Sequence, residues 1–282
     1  MDNANSNKPQ LGELARNGNY VRLFCAQIIG ALGDRLHQMA LLNFVIAVTG
    51  TSHSVKHIAD ITFWGIFPAV VFGPIAMACM DRWPWKKTMV VSTLLRALLA
   101  VMMPQILLAW PDVHTVWSTA FLLGTFAAVF GPARLALMPN LVPARNLTTA
   151  NAVSSQVGTV ATILGILLGG FLVHHLGSVY GDTAGRSYAF YADAVCFGIS
   201  LALILLLRPQ SARKKPVHHE SHWLSDFRVG IRYVRRHSDI AFTIALFGFL
   251  MLVSGLVYGC LFQYTIDLLK YSEDKIGALF AV

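Results

Sequence analysis

Asp34 is the residue from which the chemistry of this chain is best approached. It lies thirteen residues beyond Val21, near the start of the first long apolar run. At a helical rise of about 1.5 Å per residue, that sets it about 20 Å along a helix. If that helix crosses a membrane, a carboxyl so far into a core of about 30 Å must face protein or water, and it is a functional candidate by default. Gln27, Ala31, Asp34 and Gln38 follow a four-three-four spacing that sets them on one stripe, so Gln27 and Gln38 are expected to line a cavity beside Asp34. Three roles are open to Asp34: binding a proton, contacting a cationic cargo, or pairing with a basic neighbour. Arg35 points about 100° away around the same helix and reads as a structural element of its own. His37, a further third of a turn off, reads as a packing histidine.

Arg96 is the second charge inside an apolar run, nine residues beyond Lys87 and therefore about 13 Å along its helix. Its planar fork suits a buried carboxylate, and a structural ion pair is the preferred reading. Asp34 and Asp193 are the available acids. Asp193 is expected nearer the outer end of its helix, and spacing does not choose between the two. Arg134 falls at the inner end of a further run, where nearby loop groups or helix ends are its expected partners rather than cargo.

The elements that carry these residues follow from composition. Of 282 residues, 55% are hydrophobic and 13% charged, against about 25% charged in a soluble domain. A mean hydropathy of +0.57 and 17 phenylalanines exclude disorder. The net charge of +8 punctuates apolar runs instead of lining a soluble face, so nucleic acid is not an expected partner and the lipid bilayer is. Cys25, Cys79, Cys196 and Cys260 each fall inside apolar stretches without a CxxC pair and read as small packing residues. Met1 to Asn19 is polar and has no short apolar core, so the first apolar run is expected to be an uncleaved span.

Seven runs are long enough to cross a bilayer: 20–48, 58–80, 88–110, 117–138, 149–175, 188–207 and 240–266, with an eighth beginning near Ile276. With the N-terminus inside, 16 lysines and arginines fall on the cytoplasmic side and four, Lys56, Arg186, Lys270 and Lys275, on the other. Positive residues stay in short cytoplasmic loops, so a multi-pass inner (plasma) membrane protein with a cytoplasmic N-terminus is expected. A polar connector separates the first six spans from the seventh. Arg208 to Ser221, with Pro209 and Pro216, reads as a linker. In Trp223 to Arg236, Trp223, Phe227, Ile231 and Val234 recur every three or four residues, with Arg228, Arg232, Arg235 and Arg236 on complementary positions. That is an amphipathic helix suited to a membrane surface or, alternatively, to a partner protein. The expected organisation is thus an all-α polytopic membrane protein, with a six-helix half over 1–207, a basic connector over 208–238, and the start of a second half over 239–282. Seven and a fraction spans without a polar tail suggest truncation.

The loop between the second and third runs reads Gly73-Pro-Ile-Ala-Met-Ala-Cys-Met-Asp81-Arg82-Trp-Pro-Trp-Lys86-Lys87. It resembles the conserved loop of the major facilitator superfamily, with Met77 where glycine is usual and Trp85 where a base is common. On that resemblance Asp81, Arg82, Lys86 and Lys87 form a charge latch that holds one conformation and breaks in another. Phe130-Gly131-Pro132-Ala133-Arg134 through Pro139-Asn140-Leu141-Val142-Pro143, followed by Leu147-Thr-Thr-Ala150-Asn151-Ala152, joins Gln27 and Gly33-Asp34-Arg35 in a longer match. Together they resemble the branch that contains enterobactin exporters and macrolide efflux proteins, with lysophospholipid transporters as more distant relatives. The resemblance implies a secondary transporter, an exporter of a small-molecule substrate by alternating access, with protons as the coupling ion and no cofactor. Gly165, Gly169 and Gly170, with Gly158 one heptad earlier, are similar to that family's glycine-rich antiporter motif, although Ile166 replaces its proline. Plain close packing of helices explains the same spacing.

Other chemistry finds little support. No GxxxxGK[ST] loop or nucleophile-and-base constellation occurs, so an enzyme is not expected. His218, His219 and His222 lack the cysteine or carboxylate company of a metal site. The competing class is a non-transporting membrane receptor, assembly factor or truncated remnant that acts through a partner.

Overall fold

The computed structural model describes residues 11–49, 54–79, 83–208 and 223–267. These fold into helices α1 (Leu11–Arg16), α2 (Gly18–Thr49), α3 (Ser54–Cys79), α4 (Trp85–Ala109), α5 (Val113–Leu137), α6 (Leu147–Tyr180), α7 (Asp182–Leu205), α8 (Trp223–Arg236) and α9 (Ser238–Asp267). No strand occurs among the described residues. The chain divides into two compact units, one carrying α1 to α7 and the other α8 and α9.

Local chemistry sets the helix boundaries. Asn17 opens α2: its Oδ1 accepts from the backbone N–H of Asn19 at 3.1 Å and of Tyr20 at 3.2 Å, filling donors that a helix start leaves unpaired. Asp112 does the same for Val113 at the start of α5, at 2.8 Å. Between α6 and α7 the chain turns at Gly181, whose φ of 84° is the left-handed conformation that glycine adopts without strain. Two short 3₁₀ turns, Met138–Asn140 and Ala144–Asn146, link α5 to α6.

Five of the described helices contain stretches long and apolar enough to cross a membrane, the ones over 59–77, 85–109, 113–140, 144–180 and 184–205. α2, expected as the first span, is 32 residues long yet is not among them. Its length suffices; Arg22, Gln27, Asp34, Arg35 and Gln38 lower its apolarity. α7 starts six residues before the apolar run from 188, because the polar stretch Asp182 to Ser187 is also helical. This corrects the expected position of Asp193, which lies midway along α7 and not near its end.

In the first unit α2 packs on α6 and α7, α4 on α5 and α7, and α3 on α5. Two apolar cores result. One gathers Leu23, Ala26, Met89, Leu137 and Ile204; the other gathers Leu41, Val45, Leu99, Met103 and Phe190. On α2, α4 and α7 alike, the residues between these two sets include the polar ones: Gln27 to Gln38, Ser92 to Arg96, and Asp193 to Ser200. A polar layer thus lies between two apolar cores. Elsewhere the surface of this unit is markedly apolar, with Val70, Leu98, Met102, Leu108, Phe171 and Val195 all exposed, as helices that face lipid require.

Backbone approach fixes the α3–α5 crossing. A Cβ added to Gly124 would collide with the carbonyl oxygen of Gly65 and come within 3.3 Å of Pro68 Cγ, whereas one added to Gly65 would meet nothing within 4 Å. The opposing atoms at Gly124 are backbone and cannot swing away. Gly124→Ala is therefore expected to lower stability by about 1–3 kcal/mol, the usual range for overpacking, while Gly65→Ala is tolerated. Thermal unfolding in detergent checks both, and equal midpoints for the two variants would contradict this crossing.

In the second unit α8 spans Trp223–Arg236, the range its periodicity predicts. From Arg228 to Arg236 its side chains are exposed, apart from half-buried Val234. α9 runs 30 residues with a single acid in its first turn, Asp239. The linker at 209–222 and the eighth run near Ile276 lie outside the described residues.

Candidate functional site

On α2 the residues Gln27, Ala31, Asp34 and Gln38 are half-buried, as are Phe24, Ile28, Leu32 and Met39, while Leu23, Ala26, Gly30, Gly33, His37 and Ala40 are buried. Burial thus follows the packed face of the helix and does not set the polar row apart.

Asp34 pairs with Arg96 of α4, whose Nη2 donates to its Oδ1. This decides between the two acids left open for Arg96. The two partners differ sharply in environment: the arginine side chain is 4% exposed and the aspartate 38%. The guanidinium carbon also sits 4.2 Å from the centre of the Phe197 ring of α7, a cation–π contact. Arg96 is therefore a cation fixed in the interior, and Asp34 is the side of the pair that solvent or a ligand can reach.

Asp193 has a different partner. Its Oδ2 lies 2.8 Å from Nδ1 of His37 on α2, and both residues are fully buried. Phe190 stacks edge-on against the imidazole with ring centres 5.2 Å apart. Gly33 makes this contact possible, since a Cβ there would stand 2.8 Å from Asp193 Oδ1 and 3.1 Å from Cys196 Cβ. His37, expected as a packing histidine, thus forms a buried polar pair.

Gln27 is tied at both ends of its amide. Its Nε2 donates to the carbonyl of Ser154 on α6 at 2.8 Å, and its Oε1 accepts from Arg134 of α5 at 2.6 Å. Arg134 accordingly reaches α2, where loop groups or helix ends were expected. Gln38 accepts from Arg35 of its own helix at 2.6 Å. The Arg35 stem lies against Gly165 of α6, where an added Cβ would meet Arg35 Cβ at 2.7 Å, and Gly169 faces Met39 in the same way at 3.0 Å. Gly158 meets Gln27 Nε2 at 3.3 Å. Gly170, expected on the same seam, has nothing within 4 Å of an added Cβ and so does not pack there. Two glycines four residues apart let α6 approach α2; the third falls on another face.

Of the expected latch, Asp81 and Arg82 lie outside the described residues. Lys86 donates to the carbonyls of Leu205 and Leu207 at 2.7 and 2.8 Å, and Arg22 donates to that of Leu206 at 3.4 Å. These are carbonyls at and just past the end of α7, at the negative pole of its dipole, so Lys86 also caps that helix end. Lys87 is exposed and borders a groove of about 360 Å³ between the start of α4 and the end of α5, together with Trp83, Val91, Leu95 and Phe126. That groove is apolar and does not include the Asp34–Arg96 pair. Among the described residues no cluster of three or more His, Cys, Asp or Glu could hold a metal, and Cys25 and Cys196 are free thiols.

A helical bundle with apolar outer faces and a charged layer at mid-height is the build of a polytopic membrane protein. Residues 23–282 match the Major Facilitator Superfamily, and the chain belongs to that family. It is similar to three MFS-type transporters of Bacillus subtilis (strain 168). These are YfiS, 25% identical with 87% of this chain and 53% of the relative covered; YkuC, 26% identical with 84% and 55% covered; and YvqJ, 23% identical with 82% and 53% covered. The chain spans about half the length of the curated relatives it matches.

One polar contact had no signal in periodicity. Glu13 of α1 accepts from Arg145, and its Oε2 accepts from Asn146 Nδ2 at 2.7 Å, so that α1 is fastened to the turns before α6. These two hydrogen bonds, Arg145 first, hold the Glu13 carboxyl below its ordinary value of 4.5. A depressed carboxyl stabilises when ionised: the contribution is complete above the ordinary value and is lost as pH falls through the lowered one. With the intrinsic pH dependence of exchange divided out, the α1 amides are expected to lose protection as pH falls below the ordinary Glu13 value of 4.5, and Glu13→Gln to exchange fast throughout with no such acid step. Slow exchange in Glu13→Gln would show that α1 is held by other contacts.

Proposed function

We propose that this chain forms the first six-helix half, with the start of the second, of a gradient-driven exporter of small molecules in the inner (plasma) membrane. Its N-terminus is cytoplasmic, protons are the coupling ion, and transport proceeds by antiport with alternating access. The observation that carries the reading is the Asp34–Arg96 pair: a part-open carboxylate held against a buried, permanently charged cation. Protonation of Asp34 cancels the ion pair and leaves Arg96 without its counter-charge. The energy of the site then depends on whether a proton or a cationic cargo occupies it, and that is the differential interaction a coupled transporter needs. Family membership and the transporter relatives support transport as the class of activity. The resemblance of its motifs to those of enterobactin exporters and macrolide efflux proteins favours export and leaves the cargo open.

The other residues take roles around this pair. Gln27 and Gln38 lie on the same stripe of α2 as Asp34, and Gln27 with Arg134 ties α2 to α5 and α6 at the level where the helices must move together. Gly158, Gly165 and Gly169 keep α6 close to α2. Asp81, Arg82, Lys86 and Lys87 form the latch, and Lys86 also anchors α4 to the end of α7. α8 lies on the inner membrane surface with its arginines toward anionic headgroups.

Asp34→Asn tests the proposal cleanly because asparagine keeps an oxygen that accepts from Arg96, so folding is expected to persist. Efflux of erythromycin and of enterobactin from preloaded cells, measured with and without a protonophore, is expected for at least one of the two. It should be protonophore-sensitive and reduced to background by Asp34→Asn. Undiminished efflux by a correctly inserted Asp34→Asn protein would remove Asp34 from the mechanism.

A further inference from the structure

The charged layer holds more acid than the coupling role of Asp34 uses. Arg35 lies in it too, bonded to Gln38 and turned toward α6; the cluster around the buried dyad has four groups, Asp34 and His37 on α2, Arg96 on α4 and Asp193 on α7. The thiol of Cys196 is the further titratable group beside Asp193, at the Gly33 contact. From α6, the element on the other side of α2, Gly165 and Gly169 face Arg35 and Met39 and bring no ionisable side chain to the dyad.

With the imidazole neutral, the formal charges of Asp34, Arg96, His37 and Asp193 leave one negative charge in excess. Asp34 already takes the single cation. Asp193, fully buried, then keeps a full charge with one hydrogen bond, to His37 Nδ1, while its Oδ1 and the His37 Nε2 have no hydrogen-bond partner among the described residues. Burying a charge without a cation beside it is costly, and one proton on the dyad brings this four-group cluster to neutrality. The spare nitrogen of His37 carries a lone pair able to accept it, with Nδ1–H already directed at the carboxylate.

We propose that the His37–Asp193 dyad is a second proton-binding site, linked to Asp34 through the buried guanidinium of Arg96. A hydronium ion passes its proton to His37 Nε2, an N–H bond forming as the O–H bond breaks and neutral water leaves, and the imidazolium so made is paired with the Asp193 carboxylate at 2.8 Å. The link to Asp34 is spatial. Phe197, the ring under Arg96, follows Asp193 by one turn of α7, and Gly33, against which Asp193 rests, precedes Asp34. Charge placed on the dyad therefore changes the field at Arg96 and, through it, at Asp34. Proton binding stands on the geometry alone; its use in transport rests on the exporter reading.

The experiment is a pH titration of the purified, bilayer-reconstituted protein labelled with ¹⁵N-histidine, read by nuclear magnetic resonance. The His37 signal is assigned by its absence from His37→Gln or, if that variant does not fold, by its proximity to the Phe190 ring. The expected result is conversion of His37 from neutral imidazole to imidazolium on acidification, within the range of pH in which the protein stays folded. That conversion should persist in Asp34→Asn and be lost from the range in Asp193→Asn. A His37 signal that stays neutral across the range overturns the proposal, as does one that titrates identically in Asp193→Asn. Should Asp193→Asn not fold, the wild-type titration alone decides. Efflux separates the two readings. If Asp34→Asn abolishes it while His37→Gln leaves its pH dependence unchanged, the exporter reading stands and the link to transport fails. If Asp34→Asn transports normally while His37 still titrates, the proton site stands and the coupling role of Asp34 fails.

Discussion

Charge inside an apolar bundle has to be neutralised by a neighbour or face water, and most of the first unit can be understood as a response to that constraint. Arg96 is the anchor. It is nearly devoid of solvent, so it requires an acid, and it has one in Asp34 with the Phe197 ring beneath it. Because Arg96 belongs to α4, Asp34 to α2 and Phe197 to α7, satisfying one guanidinium draws three helices together. The apolar cores on either side, around Leu23 and Met89 at one level and Leu41 and Met103 at the other, can then close without a stranded charge between them. Arginine suits this place because its charge is permanent and its planar fork matches a carboxylate.

Polar ties at the same level extend the scheme to the remaining helices. Gln27 uses both ends of its amide to join α2 to α5 through Arg134 and to α6 through Ser154, and Ser200 of α7 donates to the carbonyl of Ala26 at 2.8 Å. Each bond occupies a group that hydrocarbon would penalise if it were left alone. Small residues make the approaches possible: Gly33 admits Asp193, Gly165 admits the stem of Arg35, and Gly124 admits the backbone of Gly65. Close backbone contact and polar pairing are thus used together, as expected where lipid offers helices no hydrophobic reason to associate.

The end of α7 shows a related economy. Lys86 bonds the carbonyls of Leu205 and Leu207, Arg22 that of Leu206 and Asn19 that of Arg208, so the last turn of α7 and the residues just after it are held by side chains of α2 and α4.

Much of this was legible in the amino-acid order. The apolar runs gave the helices, and the periodicity of Trp223 to Arg236 delimited α8, because each is a local property read along one helix. The start of α7 was missed for the complementary reason, since the helix continues through a polar stretch that hydropathy alone does not recognise. Pairing was beyond reach. Asp34 and Arg96 are 62 residues apart, Gln27 and Arg134 are 107, and His37 and Asp193 are 156. Which acid meets which base depends on the rotation and register of helices against one another, and these are set by side-chain volumes and by glycines such as Gly33 and Gly165. Sequence therefore determined that charges had to be neutralised within the membrane, while tertiary packing alone decided that Arg96 would take Asp34 and leave Asp193 to His37.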